Sequence, residues 1–146
     1  MIDRKWIGHD LGTSVLPIER TRLKFFAKAI GETDPVYTDE AAARGAGYPD
    51  LPAPPTFLFA AGLDSGSLDR MLADLGVPIE RILHGEQGFR YYRPVCVGDT
   101  ITVKEKIADI YDKKNGAMEF IVKTAQAHNQ HGESVAELRM VIVVRN

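Results

Sequence analysis

The sequence predicts an α+β domain built on one antiparallel sheet. In the first half, apolar residues recur at helical spacing between Gly and Pro punctuation, and from Arg81 onward the period becomes two. Clusters of turn residues then divide the second half into long alternating segments. Runs of helix followed by runs of strand pack as helices against one sheet.

Taken in order, residues 7–18 are expected to add a strand at the sheet edge. Residues 20–31 read as a helix, with Leu23, Phe26, Ala27 and Ile30 on one face and Gly31 as its stop. Asp39 is the expected N-cap of a second short helix, which Gly45 ends. The following stretch to Pro55 must be extended or turning, because each residue before a proline is pushed out of the α region. Residues 56–63 are apolar on nearly every side, the mark of a buried helix, and a proline is tolerated at its start. Gly62 weakens that helix by about 1 kcal/mol relative to alanine, so close packing is its expected role. Residues 68–76 form a further helical piece, with Gly76-Val77-Pro78 as its exit.

Phe89-Arg90-Tyr91-Tyr92-Arg93 then leads into Pro94, and residues 100–110, 118–127 and 135–144 alternate as strands. Val97-Gly98-Asp99, Asn115-Gly116 and the turn at 129–132 separate them, which makes an antiparallel meander with Gly98-Asp99 as a hairpin turn. One short helix cannot fill the concave face of such a sheet and also close its edges. Edge strands of that length invite pairing with another copy, so at least a dimer is expected.

At 146 residues the chain fits one domain, 1–146, with enough length for a real core. The net charge of −2 argues against a nucleic-acid surface; the one dense basic cluster, Lys113-Lys114, sits beside a turn. The single cysteine, Cys96, excludes an internal disulfide and, between apolar neighbours, reads as a small buried hydrophobe. No apolar run approaches the roughly 20 residues of a membrane span, and charged residues interrupt the N-terminus where a signal peptide would need an apolar stretch. A soluble, cytoplasmic protein is therefore expected. The histidines have no ligand spacing, so no metal is expected.

Three segments could carry chemistry. The first is Gly31-Glu32-Thr33-Asp34-Pro35-Val36-Tyr37, in a loop after a helix. Acid–base chemistry on water needs a base and an acid. Glu32 can serve as base; Tyr37 can donate a proton, although a phenol of ordinary pKa, about 10, shuttles poorly near neutrality. Equally, Asp34 can make an Asx turn and Glu32 can be simply solvated. The second is Ala53-Pro54-Pro55-Thr56-Phe57, where unpaired helix N-terminal amides can stabilise a negatively charged oxygen, or which only starts a helix. The third is Leu83-His84-Gly85-Glu86-Gln87-Gly88-Phe89, followed by Arg93-Pro94 and Gly98-Asp99. Here His84 is the group that titrates near neutrality, or a strand-start histidine bonded to backbone.

Together these segments resemble the MaoC-like dehydratase and (R)-specific enoyl-CoA hydratase family, closest to its N-terminal, fatty-acid-synthase-type hot-dog domain. The family's hydratase motif reads Gly-Asp-x-Asn-Pro-x-His. Gly31, Asp34, Pro35 and Ala41 keep its frame, while Glu32 and Tyr37 stand at the two catalytic positions. The resemblance implies a hot-dog fold, in which the sheet wraps a central buried α-helix. It implies a thioester of coenzyme A or acyl carrier protein as partner, bound at Asp34, Pro55, Thr56, Phe57, His84 and Gly85, and acid–base chemistry without a cofactor. It also implies a hydro-lyase whose altered dyad needs a second hot-dog subunit. A non-catalytic acyl-thioester-binding subunit and a hot-dog thioesterase using Glu32 or Asp34 are the rivals.

Overall fold

The computed structural model describes residues 1–146. Five strands form one antiparallel sheet: β1 (Asp10–Pro17), β2 (Ile82–Tyr91), β3 (Thr100–Lys113), β4 (Met118–His128) and β5 (Ser134–Arg145), in the order β1-β3-β4-β5-β2. The helices α1 (Arg20–Ala29), α2 (Glu40–Gly45), α3 (Ala60–Asp64) and α4 (Ser67–Asp74) come from the first half. This is the hot-dog arrangement.

The meander β3-β4-β5 follows from local sequence. Its first turn places Lys114, Asn115 and Gly116 at positive φ (54°, 53° and 84°). Asn and Gly tolerate that region; Lys114 is the strained member. Burial alternates along β3 through Ile101, Val103, Glu105 and Ile107, and then shifts phase to Ile110. A bulge between Ile107 and Asp109 causes the shift, because one extra residue exchanges the two faces of a strand.

Gly98-Asp99 is not a hairpin turn. β2 pairs with β5 and β3 pairs with β1, so residues 92–99 cross from one edge of the sheet to the other side of the meander. Gly98 N–H donates to Ile18 O, and Ile18 N–H donates to Asp99 O, which binds this crossover to the end of β1. The sheet edges are accordingly β1 and β2, not the long strands 100–110 and 135–144. The edges open to pairing are therefore β1 and β2.

The wrapped helix also differs from expectation. It begins as a 3-10 turn, Pro55–Phe59, and becomes α-helical only over Ala60–Asp64. Phe57, Leu58 and Ala61 are buried, but Leu63 is 53% exposed and Thr56 lies at the surface. The segment is apolar all round, yet only one of its faces meets the sheet. Gly62 earns its place by packing: a Cβ there would come within 3.1 Å of Glu105 Oε1. Ile30, expected on the buried face of α1, is exposed, since the helix ends at Ala29.

Leu16, Leu23, Leu51, Phe57, Ile101 and Val103 belong to the larger core cluster, beneath α1 and α3. Met71 and Leu72 of α4 join Ile107, Ile110, Ile121 and Ile142 in a second cluster. Beside it, buried Glu119 accepts from Ile2 N–H at 2.6 Å and from the Asn146 side-chain amide at 2.7 Å.

Candidate active-site cleft

A cleft of about 340 Å³ lies where the first segment meets the second. Tyr37 and Tyr48 form one wall, Pro52 to Pro55 and Leu58 the floor, and Tyr91, Tyr92 and Arg93 the opposite wall. Arg93 is the one charged side chain of this lining, and it pairs with Glu133 at 3.3 Å. Tyr91 Oη donates to Pro55 O at 2.6 Å and so ties the end of β2 to the helix start. Partial burial pushes the Tyr91 phenol above its ordinary pKa, which keeps this donor protonated.

The loop before Tyr37 is built by its own carboxylates. Glu32 Oε1 accepts from the N–H groups of Thr33 (2.9 Å) and Asp34 (3.0 Å). Asp34 Oδ1 accepts from Val36 N–H at 3.0 Å, an Asx turn that caps the 3-10 turn Pro35–Tyr37. Asp39 caps α2 through Ala41 and Ala42 N–H, as the sequence predicts. Burial, and then the Glu32 charge, push the Tyr37 phenol up, so it is a weaker proton donor than free tyrosine.

Of the residues singled out in the sequence, Tyr37 and Pro55 line the cleft, and Glu32 and Asp34 shape the loop beneath Tyr37. Thr56 is exposed at the helix start, and no protein group accepts from its N–H. Phe57 is 1% exposed and belongs to the core, edge-on to Phe26. His84 stacks on Phe59 at 5.4 Å, outside the cleft lining. It stands seven residues before Tyr91 on β2, roughly 23 Å along the strand at about 3.3 Å per residue, near the opposite end of that strand from the cleft. Gly85 beside it permits a bulge, since a Cβ would come within 2.8 Å of Val143 Cγ2.

Residues 5–138 match the family described as FAS1-like, dehydratase domain region. The chain belongs to this family. A UPF0336 protein of Streptomyces avermitilis is 34% identical over 145 residues, covering 99% of this chain and 95% of that protein. Among solved structures, the HadBC (3R-hydroxyacyl-ACP dehydratase) complex of Mycobacterium tuberculosis matches with a TM-score of 0.78 at 24% identity, over 94% of this chain and 96% of that one. The R-hydratase PhaJ1 of Pseudomonas aeruginosa matches with a TM-score of 0.67 at 21% identity, over 96% and 82%. Both likenesses show the hot-dog fold that this dehydratase family shares.

Sequence reasoning leaves Tyr48, Tyr91, Tyr92, Arg93 and Pro94 out of the expected binding residues. All five line the cleft. Aromatic residues flanking two prolines were the available signal, but only the pairing of β2 with β5 carries them to Tyr37.

Proposed function

We propose that this chain is the acyl-thioester-binding subunit of an enoyl-thioester hydratase or 3-hydroxyacyl-thioester dehydratase, completed by a second hot-dog subunit that carries the acid–base pair. The observation behind this is the state of the two residues at the dyad positions. The Glu32 carboxylate holds its own loop through two backbone N–H groups, and the Tyr37 phenol has a raised pKa. The phenol is thus a poor proton donor near neutrality, and one oxygen of the carboxylate is already engaged by the backbone. The cleft itself suits a pantetheine-linked acyl group: it is mostly apolar, with one cation, Arg93, in its wall.

Exposed apolar groups favour a partner across the β2 edge. Leu63, Leu83, Tyr91 and Tyr92 are each 45–53% exposed on α3, β2 and the residue after it. A second hot dog, either another copy or a related subunit, would cover them and bring its own loop toward the cleft. The implied substrates are cytoplasmic thioesters of coenzyme A or acyl carrier protein.

The test is crotonyl-CoA hydration by the lone chain, with calorimetric titration of the same thioester. Binding with turnover reduced by about 10²–10⁴-fold against an intact hydratase is expected, the usual loss when an acid–base group is absent. Robust turnover abolished by Glu32→Gln makes Glu32 the base and overturns the binding-subunit assignment. Release of free thiol makes the chain a thioesterase.

A further inference from the structure

The inward face of the sheet holds an ion pair that the cleft does not use. Glu105 of β3 and Lys123 of β4 are 8% and 3% exposed, and Lys123 Nζ lies 2.9 Å from Glu105 Oε1. Ser67, also 3% exposed, donates to Glu105 Oε2 and accepts from Lys123 Nζ at 3.4 Å. Desolvating two charges costs several kcal/mol per ion, and apolar residues of similar size would fill the space at less cost. The pair is therefore a poor device for stability alone.

A cavity of about 30 Å³ opens beside it, walled by Leu58, Phe59, Leu63, Leu68, Val103 and Met140. Gln87, Glu105 and Lys123 supply polar groups to the same wall. Gln87 Oε1 is buried with no donor, while its amide nitrogen faces Gly88 O at 3.4 Å, which sets the orientation of the amide. Lys123 has three N–H protons, and Glu105 and Ser67 take two. One acceptor and one donor are left without partners. A hydroxyl answers both, as a water molecule would. Since one water needs about 10–15 Å³, the space admits about two heavy atoms and no hydrocarbon tail.

Leu58 lines both this cavity and the cleft beside Tyr37, so the two spaces share a wall at that side chain. We propose that the cavity receives the far end of the acyl group and that Gln87 and the Lys123–Glu105–Ser67 cluster select a short acyl chain ending in a hydroxyl. This rests on the acyl-thioester reading of the cleft. A methyl terminus would desolvate Gln87 Oε1 and the third Lys123 N–H and return no bonds. Sites built to bond a substrate hydroxyl reject the analogue that lacks it.

The test uses amide analogues of acyl-pantetheine, with nitrogen in place of the sulfur, so that nothing turns over. Acyl groups of four, six and eight carbons are each offered with a methyl or a hydroxyl terminus and titrated by calorimetry. At one length the hydroxyl should tighten binding at least tenfold. The double variant Glu105→Leu with Lys123→Met, apolar and of similar volume, should abolish that preference and improve binding of the methyl-terminated eight-carbon analogue. Gln87→Leu, which leaves the ion pair in place, should reduce the preference on its own and serves if the double variant does not fold. Methyl-terminated analogues that bind with no gain from the hydroxyl at any length, or a gain that survives both substitutions, overturn the proposal and leave the cleft assignment standing. If no analogue binds, the cleft assignment fails and this one with it.

Discussion

At the scale of single residues, Glu32 and Cys96 give opposite lessons about reactive side chains. Glu32 stands at a catalytic position of the family motif, yet its Oε1 is directed at two N–H groups of its own loop. A glutamine can accept the same bonds. Glu32→Gln should therefore leave stability within about 0.5 kcal/mol of the parent, while Glu32→Ala, which leaves both donors unpaired, should lose about 1 kcal/mol in urea unfolding. A large loss of stability in the Gln variant would mean that the carboxylate charge, and not its geometry, holds the loop. Cys96 is 5% exposed, and burial, followed by the Asp99 charge, pushes its thiol pKa up. A raised thiol pKa lowers the thiolate fraction at pH 8, and only the thiolate attacks a disulfide reagent. Labelling by such a reagent should be slower in the folded protein than in urea. Equal rates would place the thiol at the surface.

At the scale of elements, β2 is the strand on which the site depends. It forms one edge of the sheet, bears the bulge at Gly85, and delivers Tyr91 to the cleft. In Gly85→Ala the new methyl would meet Val143 Cγ2 at 2.8 Å and Val141 O at 3.2 Å. The backbone oxygen cannot rotate away, so a loss of about 1–3 kcal/mol in thermal unfolding is expected, the range for overpacking. An unchanged melting temperature would mean that the edge strand yields freely at this position. The strands β3, β4 and β5 are legible in the sequence because one buried face imposes a period of two and short turns divide them. The helix caps at Asp34 and Asp39 are legible for the same local reason. The far wall of the cleft is not: Tyr91, Tyr92 and Arg93 reach Tyr37 only through the pairing of β2 with β5 and the crossover after it. Local periodicity carries no information on that pairing. His84 shares β2 with Tyr91 but stands near the start of the strand, outside the cleft lining.

At the scale of the whole molecule, the apolar surface on α3 and β2 calls for a cover. Leu63 and Leu83 are 53% and 49% exposed. Sedimentation at micromolar concentration should show at least a dimer, and Leu63→Glu should shift it to monomer, since a desolvated carboxylate has no partner in such an interface. A parent protein that sediments only as monomer would leave the exposed face to a different subunit.

Glu119 joins the two ends of the chain. Ile2 N–H and the Asn146 side chain both meet this one carboxylate, so the ends lie within several ångströms of each other at one end of the sheet. A bridge of a handful of glycines would close the backbone into a ring without moving a strand. In the chain-entropy picture, closing a loop of this size removes up to about 4–5 kcal/mol of freedom from the unfolded state, while the folded state loses nothing. A ligated ring should accordingly melt several degrees higher than the open chain. A ring no more stable than the open chain would show that the unfolded ends already keep company.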